Sequence, residues 1–356
     1  MVAGQPNNGG SSVMKQGLRA IMPTPYEITF APFTIADPGP GQVLIETEAS
    51  AISPGTELAI YTGIHQWLAD PTRAWPKFPF VPGYSAVGRI TAVGKDVTAF
   101  APRQRVIWSG RHESHALVDV AGAHPLLYPI NAEVAAPAAA CAMLTRFPLT
   151  ALVQCGQTLG QSVAVLGLGL IGQLALRLFS AAGAYPLIGI DFMAGRRALA
   201  MTTPGVATLD PEAGDLKAAL QALNGGALPD VVVDATGAPN AVRTAMSVVA
   251  DGGKVIMVGS PRGIAGDVDF YWDLHGRSLS LIGAHGSAIG PEPREKFPFV
   301  RDRALWLIVH FLESGKLRVD DLVLHHVPAR ELHTMYEGLL HQRDEFLGVT
   351  LDWQAS

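Results

Sequence analysis

The chain has 356 residues, 48% hydrophobic and only 16% charged, which gives length for two domains, supports a large core and excludes a disordered chain. A net charge of −5 at pH 7, with no basic run, excludes the phosphate-neutralising face of a nucleic-acid binder. The two cysteines, Cys141 and Cys155, are too few for a disulfide framework and read as reduced thiols of a cytoplasmic protein.

Residues 1–14 are Gly-, Asn- and Ser-rich, without the basic start or apolar run of a secretion signal, and read as a mobile tail. From Arg19 to about Leu127, short runs such as Gln42–Thr47, Val87–Val93 and Arg105–Ser109 alternate with Gly and Pro turns, the pattern of a β-rich, barrel-like unit. Ala135–Leu152 is Ala- and Leu-rich with helical spacing. Strand and helix signals then alternate. Strands are predicted at Ser162–Leu166, Pro186–Ile190, Asp230–Asp234 and Lys254–Val258, and helices at Ile171–Ala182, from about Gly195, at Asp215–Leu223 and at Asn240–Val249. This alternation predicts a doubly wound parallel sheet. An apolar run at Leu281–Ala284, an amphipathic helix at Val300–Ser314 and a last strand at Phe346–Leu351 suggest that the C-terminal stretch rejoins the first unit. The most apolar segment, Ser162–Gly172, is broken by glycines and too short to span a bilayer.

Gly167-Leu168-Gly169-Leu170-Ile171-Gly172 follows a predicted strand and opens a predicted helix. Its first glycine permits the tight turn, its second lets backbone approach a pyrophosphate, and its third lets helix pack on strand. The helix N-terminus offers unpaired N–H groups and partial positive charge to phosphates. Asp191 closes the next strand, 19 residues beyond Gly172, where a carboxylate binds ribose hydroxyls and repels a 2′-phosphate. NAD is therefore the expected cofactor, with Arg196 packing over or bonding to the adenosine ribose. The Arg196-Arg197 pair just beyond Asp191 could serve a phosphate, which leaves NADP as the alternative.

Those features, with Gly83–Gly88, Asp234–Gly237, Gly253–Gly259 and Leu281–Ala284, resemble the medium-chain dehydrogenase/reductase superfamily, whose best-known members are zinc alcohol dehydrogenases. The resemblance runs from about Arg19 over the rest of the chain. It implies an α/β fold: a GroES-like β-barrel catalytic domain (15–145 and 286–356) and a doubly wound Rossmann domain (146–285). It also implies that Thr145 touches the nicotinamide, Ala235 and Thr236 the adenosine-side ribose region, and Val258, Gly259, Gly283 and Ala284 the carboxamide. Dimers through the sheet edge near 270–285 are common in the family, so a homodimer is expected.

The zinc-binding members place a Cys in the loop matching Ile52–Glu57, a His-Glu after the barrel glycine and a second Cys before the Rossmann domain. Here those columns hold Ser53 or Pro54, Tyr84-Ser85, and Cys141. One thiol among hydroxyls is a poor match to zinc, which takes about four Cys, His or carboxylate ligands, so no metal is expected. The segment Ile52–Gly63 with Pro82–Tyr84 resembles a zinc-lacking branch that includes bacteriochlorophyllide hydroxyethyl dehydrogenases.

Without a metal, the substrate hydroxyl needs another proton acceptor and the alkoxide another stabiliser. The candidates are Tyr84, as relay or as a wall filling the metal's space, and Thr56 and Ser53, as hydroxyl relays. Glu57 reads as a base or a structural partner, and His65 as a further relay or a structural side chain. His112 and His115 lie too badly spaced on a strand for a metal pair. Aromatic residues between Tyr61 and Phe80 read as pocket lining or core. The expected activity is zinc-independent, NAD-dependent interconversion of a secondary alcohol (polyol, sugar derivative or tetrapyrrole hydroxyethyl group) and its ketone. The partner is a small-molecule substrate, with neither nucleic acid nor membrane involved. The alternatives are an NADPH-dependent enone or quinone reductase and a non-catalytic NAD-binding protein.

Overall fold

A computed structural model describes residues 15–120, 126–266, 268–292 and 299–355. The tail expected at 1–14 lies outside them. An antiparallel hairpin, β1 (Gln16–Ile21) with β2 (Thr29–Thr34), opens the described chain. It is followed by β3 (Gln42–Ala51), α1 (Thr56–Tyr61), β4 (Ala86–Val93), β5 (Arg105–Trp108), β6 (His115–Asp119) and β7 (Leu127–Pro129). Helices α2 (Ala136–Ala140) and α3 (Ala142–Cys155) lead out of this β-rich unit, as the Ala/Leu spacing predicts.

The alternating region follows: β8 (Val163–Leu166), α4 (Leu170–Ala181), β9 (Leu187–Ile190), α5 (Ala194–Ala200), β10 (Val206–Leu209), α6 (Leu216–Leu223), β11 (Val231–Asp234), α7 (Ala241–Val248), β12 (Lys254–Met257) and β13 (Ser280–Gly283). These strands run parallel in the order β10-β9-β8-β11-β12-β13. The order reverses between β8 and β11, and in such sheets the ligand crevice opens at the carboxyl ends of the strands flanking the reversal. Val163 and Val165 of β8 pack into one apolar layer and Ala164 and Leu166 into the other, because a parallel strand with helices on both faces is buried on both.

The chain then returns through α8 (Arg301–Glu313), β14 (Val323–Pro328), α9 (Leu332–His341) and β15 (Gly348–Asp352). β15 pairs antiparallel with β3, so the C-terminal stretch completes the first sheet, whose order is β14-β15-β3-β4-β5-β7 with β6 also on β3. The fold is therefore the expected combination of a GroES-like barrel unit and a Rossmann sheet. A core of Leu144 and Leu149 from α3, Leu170 and Leu174 from α4, and Leu305 and Ile308 from α8 lies between them. Among the described residues no helix is long and apolar enough to cross a membrane.

Candidate functional site

The glycine turn sits between β8 and α4 at the switch point. Gly167 has φ +84, and a Cβ there would lie 2.8 Å from Cγ2 of Thr236. A Cβ on Gly172 would lie 1.8 Å from the Gly167 carbonyl oxygen, so the helix can approach the strand only with glycine at that position. At Gly169 the space is open: the nearest atom to a Cβ is a terminal nitrogen of Arg196, 3.9 Å away. No side chain caps α4, which leaves the amides of its first turn available to an anion.

Asp191 follows β9 and is buried. Its carboxylate accepts from the amides of Leu168 (2.7 Å) and Met193 (2.8 Å), which fixes it beside the glycine turn. Arg196 stands over it at 3.8 Å and donates to the carbonyl of Arg343 (2.7 Å). Arg197 turns away, to the carbonyls of Asp191 and Phe192 and to the carboxylate of Asp210. Across the crevice, the carboxylate of Asp234 accepts from the amide and hydroxyl of Thr236, while the amide of Gly259 donates to the Asp234 carbonyl. Ala235 and Gly259 pack closely there. The amide of Ala284 bonds to Met257, and Gly283 faces open space. Thr145 is buried on α3, its hydroxyl bonded to the Cys141 carbonyl (3.1 Å). These residues fit a dinucleotide: an open glycine cradle, a fixed carboxylate at the strand end and a cation beside it.

The structure brings Ser53, Thr56, Glu57 and Tyr84 together. Glu57 is 1% exposed, and its two carboxylate oxygens take three partners. One accepts from the Ser53 amide (2.9 Å), and the other meets His112 Nε2 (2.8 Å) and accepts from the Tyr336 hydroxyl (2.6 Å). His112 continues through Nδ1 to Ser50 Oγ, which also accepts from the Trp353 indole. The His112 amide donates to the Pro82 carbonyl, so the Pro82-Gly83-Tyr84 turn rests on the same network.

Tyr84 is partly buried against Phe147 (ring centroids 6.1 Å apart) and donates to Ser53 Oγ. Burial pushes its phenol up to about 12, against the opposing pull of hydrogen bonds with Ser53 and Thr56. Burial outweighs the nearby cation Arg146, and Tyr84 stays protonated. His65 is not joined to this hydroxyl group by any described hydrogen bond. It sits in a ring cluster with Trp67 and Trp75, its Nδ1 accepting from the Trp67 amide, and burial then Arg262 lower its pKa. Trp75 also meets Phe80, so part of the aromatic segment forms one wall.

Around the position of the zinc ligands in metal-binding relatives, the side chains do not fit a divalent ion. Cys141 is fully buried in an Ala- and Leu-rich core, and burial pushes its thiol up to about 12, whereas zinc binds the thiolate. Ser85 donates to the Ala140 carbonyl, and Ser53 is engaged with Tyr84. Among the described residues no group of three His, Cys, Asp or Glu is placed to hold a metal.

Four participants escape a reading of the sequence. Tyr336 reaches Glu57 from 279 residues away, with no local signal. His112 reads from the sequence only as half of a badly spaced His pair with His115. Arg146 and Arg262 stand near Tyr84, and the usable signal was a lone charge inside the Ala/Leu-rich run, directly after Thr145.

The profile of a family described as "Alcohol dehydrogenase GroES-like domain" matches residues 39–138, and that of "Zinc-binding dehydrogenase" matches residues 171–301. An L-galactonate-5-dehydrogenase of Escherichia coli K12 is 26% identical over 91% of this chain and 96% of its own. A 2-desacetyl-2-hydroxyethyl bacteriochlorophyllide A dehydrogenase of Rhodobacter capsulatus is 27% identical over 94% and 97%. A structure described as a short chain alcohol dehydrogenase from Escherichia coli CFT073, complexed with NADH, superposes with a TM-score of 0.78 at 15% identity, covering 95% of this chain and 99% of that one.

Two measurements check the buried chemistry. Glu57→Ala strands three donors and should cost about 3 kcal/mol or more in urea unfolding; a change under about 1 kcal/mol would mean the network is not formed. Both cysteines are buried and pushed up, so Ellman's reagent should find no reactive thiol until the protein is unfolded.

Proposed function

From a chain that belongs to the medium-chain dehydrogenase/reductase superfamily, we propose a zinc-independent, NAD-dependent oxidoreductase that interconverts a secondary alcohol and its ketone. The observation that carries this reading is the Tyr84–Ser53 hydroxyl pair, held on the Glu57 network where metal-binding relatives carry ligands. Secondary-alcohol chemistry is supported by relatives named for the dehydrogenation of a sugar acid and of a hydroxyethyl group. The division into 15–145 with 286–356 and 146–285 is supported by the two sheets.

Gly167, Gly169, Leu170, Ile171 and Gly172 would hold the pyrophosphate, and Asp191 with Arg196 the adenosine ribose. Ala235, Thr236, Val258, Gly259, Gly283, Ala284 and Thr145 would line the way to the nicotinamide. Bound NAD supplies the hydride acceptor. The chain's own work is to hold the alcohol oxygen and move its proton. In the oxidation direction the alcohol O–H donates to the Tyr84 oxygen, the phenol's own proton passes to Ser53 or Thr56 and from these hydroxyls to solvent, and Tyr84 stays neutral throughout. Glu57 positions the loop through the Ser53 amide. His65, on the aromatic wall, extends the relay or closes the pocket.

A homodimer is supported by the free edge of β13 and by Phe270, Tyr271 and Trp272, all exposed beside it. Two buried, unpaired thiols suit a cytoplasmic location.

Turnover on a panel of secondary alcohols should favour NAD over NADP by about tenfold or more in kcat/KM, with Asp191→Ala removing the preference. A preference for NADPH with enones would support the reductase reading instead, and nucleotide binding without turnover the non-catalytic one. Tyr84→Phe should lower kcat by about 10²–10³. Because the phenol lies above its ordinary value of 10.0, no fall in rate from its ionisation is expected below pH 10. In sedimentation, Trp272→Glu should shift the protein from dimer to monomer; a wild-type monomer would contradict the interface.

A further inference from the structure

Two arginines converge on the hydroxyl pair, and among the described residues no carboxylate pairs with either. Arg146 follows Thr145 on α3, and its neighbour Phe147 touches the Tyr84 ring. No described residue forms an ion pair or a side-chain hydrogen bond with it, and its Nε is buried without a partner. Arg262 comes from the opposite wall, the loop after β12, and crosses the cleft to donate to the Gly55 carbonyl (2.7 Å), next to Thr56. Its Nε is also buried and unpartnered, and no described carboxylate pairs with it.

The nearby acid, Glu57, is bonded to neither arginine: its oxygens take the Ser53 amide, His112 and Tyr336 instead. Tyr84 is held neutral. Burial, and then the like charge of Arg301, push Arg146 down to about 10, which still leaves it a cation at neutral pH. Desolvated cations of one sign are costly unless an anion completes them. On the proposed reading the dinucleotide phosphates have their own place, at the glycine turn and the α4 amides.

Resting on the dehydrogenase reading above, we infer that Arg146 and Arg262 form the two sides of a subsite for an anionic group, a carboxylate or phosphate ester, carried by the alcohol substrate. A guanidinium presents paired donors that match either oxyanion, and this contact would orient the secondary hydroxyl toward Tyr84. The substrate class is thereby narrowed from polyols in general to hydroxy acids and polyol phosphates.

The test compares gluconate, glucitol phosphate and glucitol as probes, in turnover and in the melting shift each gives the NADH-loaded protein. Wild type should favour one or both anions over glucitol by about tenfold or more, and which anion wins identifies the group. Arg146→Gln should cut the anionic-to-neutral ratio of kcat/KM by about 10- to 100-fold, with partial recovery in Arg146→Lys, and Arg262→Gln should act in the same direction. Equal use of glucitol, an unchanged ratio in folded Arg146→Gln, or a loss that tracks KM for the dinucleotide would each overturn the subsite. Turnover of glucitol without anionic preference would refute the subsite and leave the dehydrogenase reading standing. If no probe turns over, the dehydrogenase reading fails on these alcohols, and the melting shift alone decides the subsite: a larger shift with the anions upholds it, and equal shifts refute it.

Discussion

A single buried carboxylate organises the reactive side of this protein. Glu57 holds the Ser53 amide of its own loop, His112 from the segment before β6, and Tyr336 from α9, so three distant parts of the chain meet on two oxygens. In a low-dielectric interior such bonds are strong when complete, and each donor is costly if abandoned. The consequence is positional. The Ser53–Thr56 loop and the Tyr84 turn, both resting on this network, have one arrangement relative to each other, and the hydroxyl pair is set before any ligand arrives.

The dinucleotide half obeys a more local logic. Gly167 and Gly172 allow strand and helix to touch, Gly169 leaves the cradle open, and Asp191 is fixed by two amides. These contacts lie within about one βαβ unit, so they were readable from the order of residues. The strands β8, β9, β11 and β12 were legible as apolar runs between turn signals, and α4 by its spacing and its glycine stop. β10 was not, because Val206–Leu209 is only four residues long and partly exposed. The helix α9 escaped because Gly338 and its polar residues blur its apolar face, which becomes clear only when packed against α1. Tyr336 could not be matched to Glu57 from sequence for the same reason: nothing local links them. Arg262 reaches Gly55 across 207 residues, and its role depends wholly on how the two sheets meet.

The two halves complement each other electrostatically. On the proposed reading, one side offers the α4 amides to phosphates and Asp191 with Arg196 to the ribose; the other offers neutral hydroxyls flanked by Arg146 and Arg262. A metal ion would bring positive charge to the alcohol oxygen directly. Here the donor set is a neutral phenol, two hydroxyls and a thiol pushed up to about 12, and on the proposed reading the arginines supply the positive charge and hydrogen bonds the polarisation.

That substitution of hydroxyls for a metal is the central claim, and metal analysis with turnover on the same sample tests it most directly. Protein dialysed against a strong chelator should hold far less than one zinc per chain and keep its full rate of alcohol oxidation. Stoichiometric zinc that resists dialysis, or activity lost with the chelator and restored by added zinc, would contradict the account.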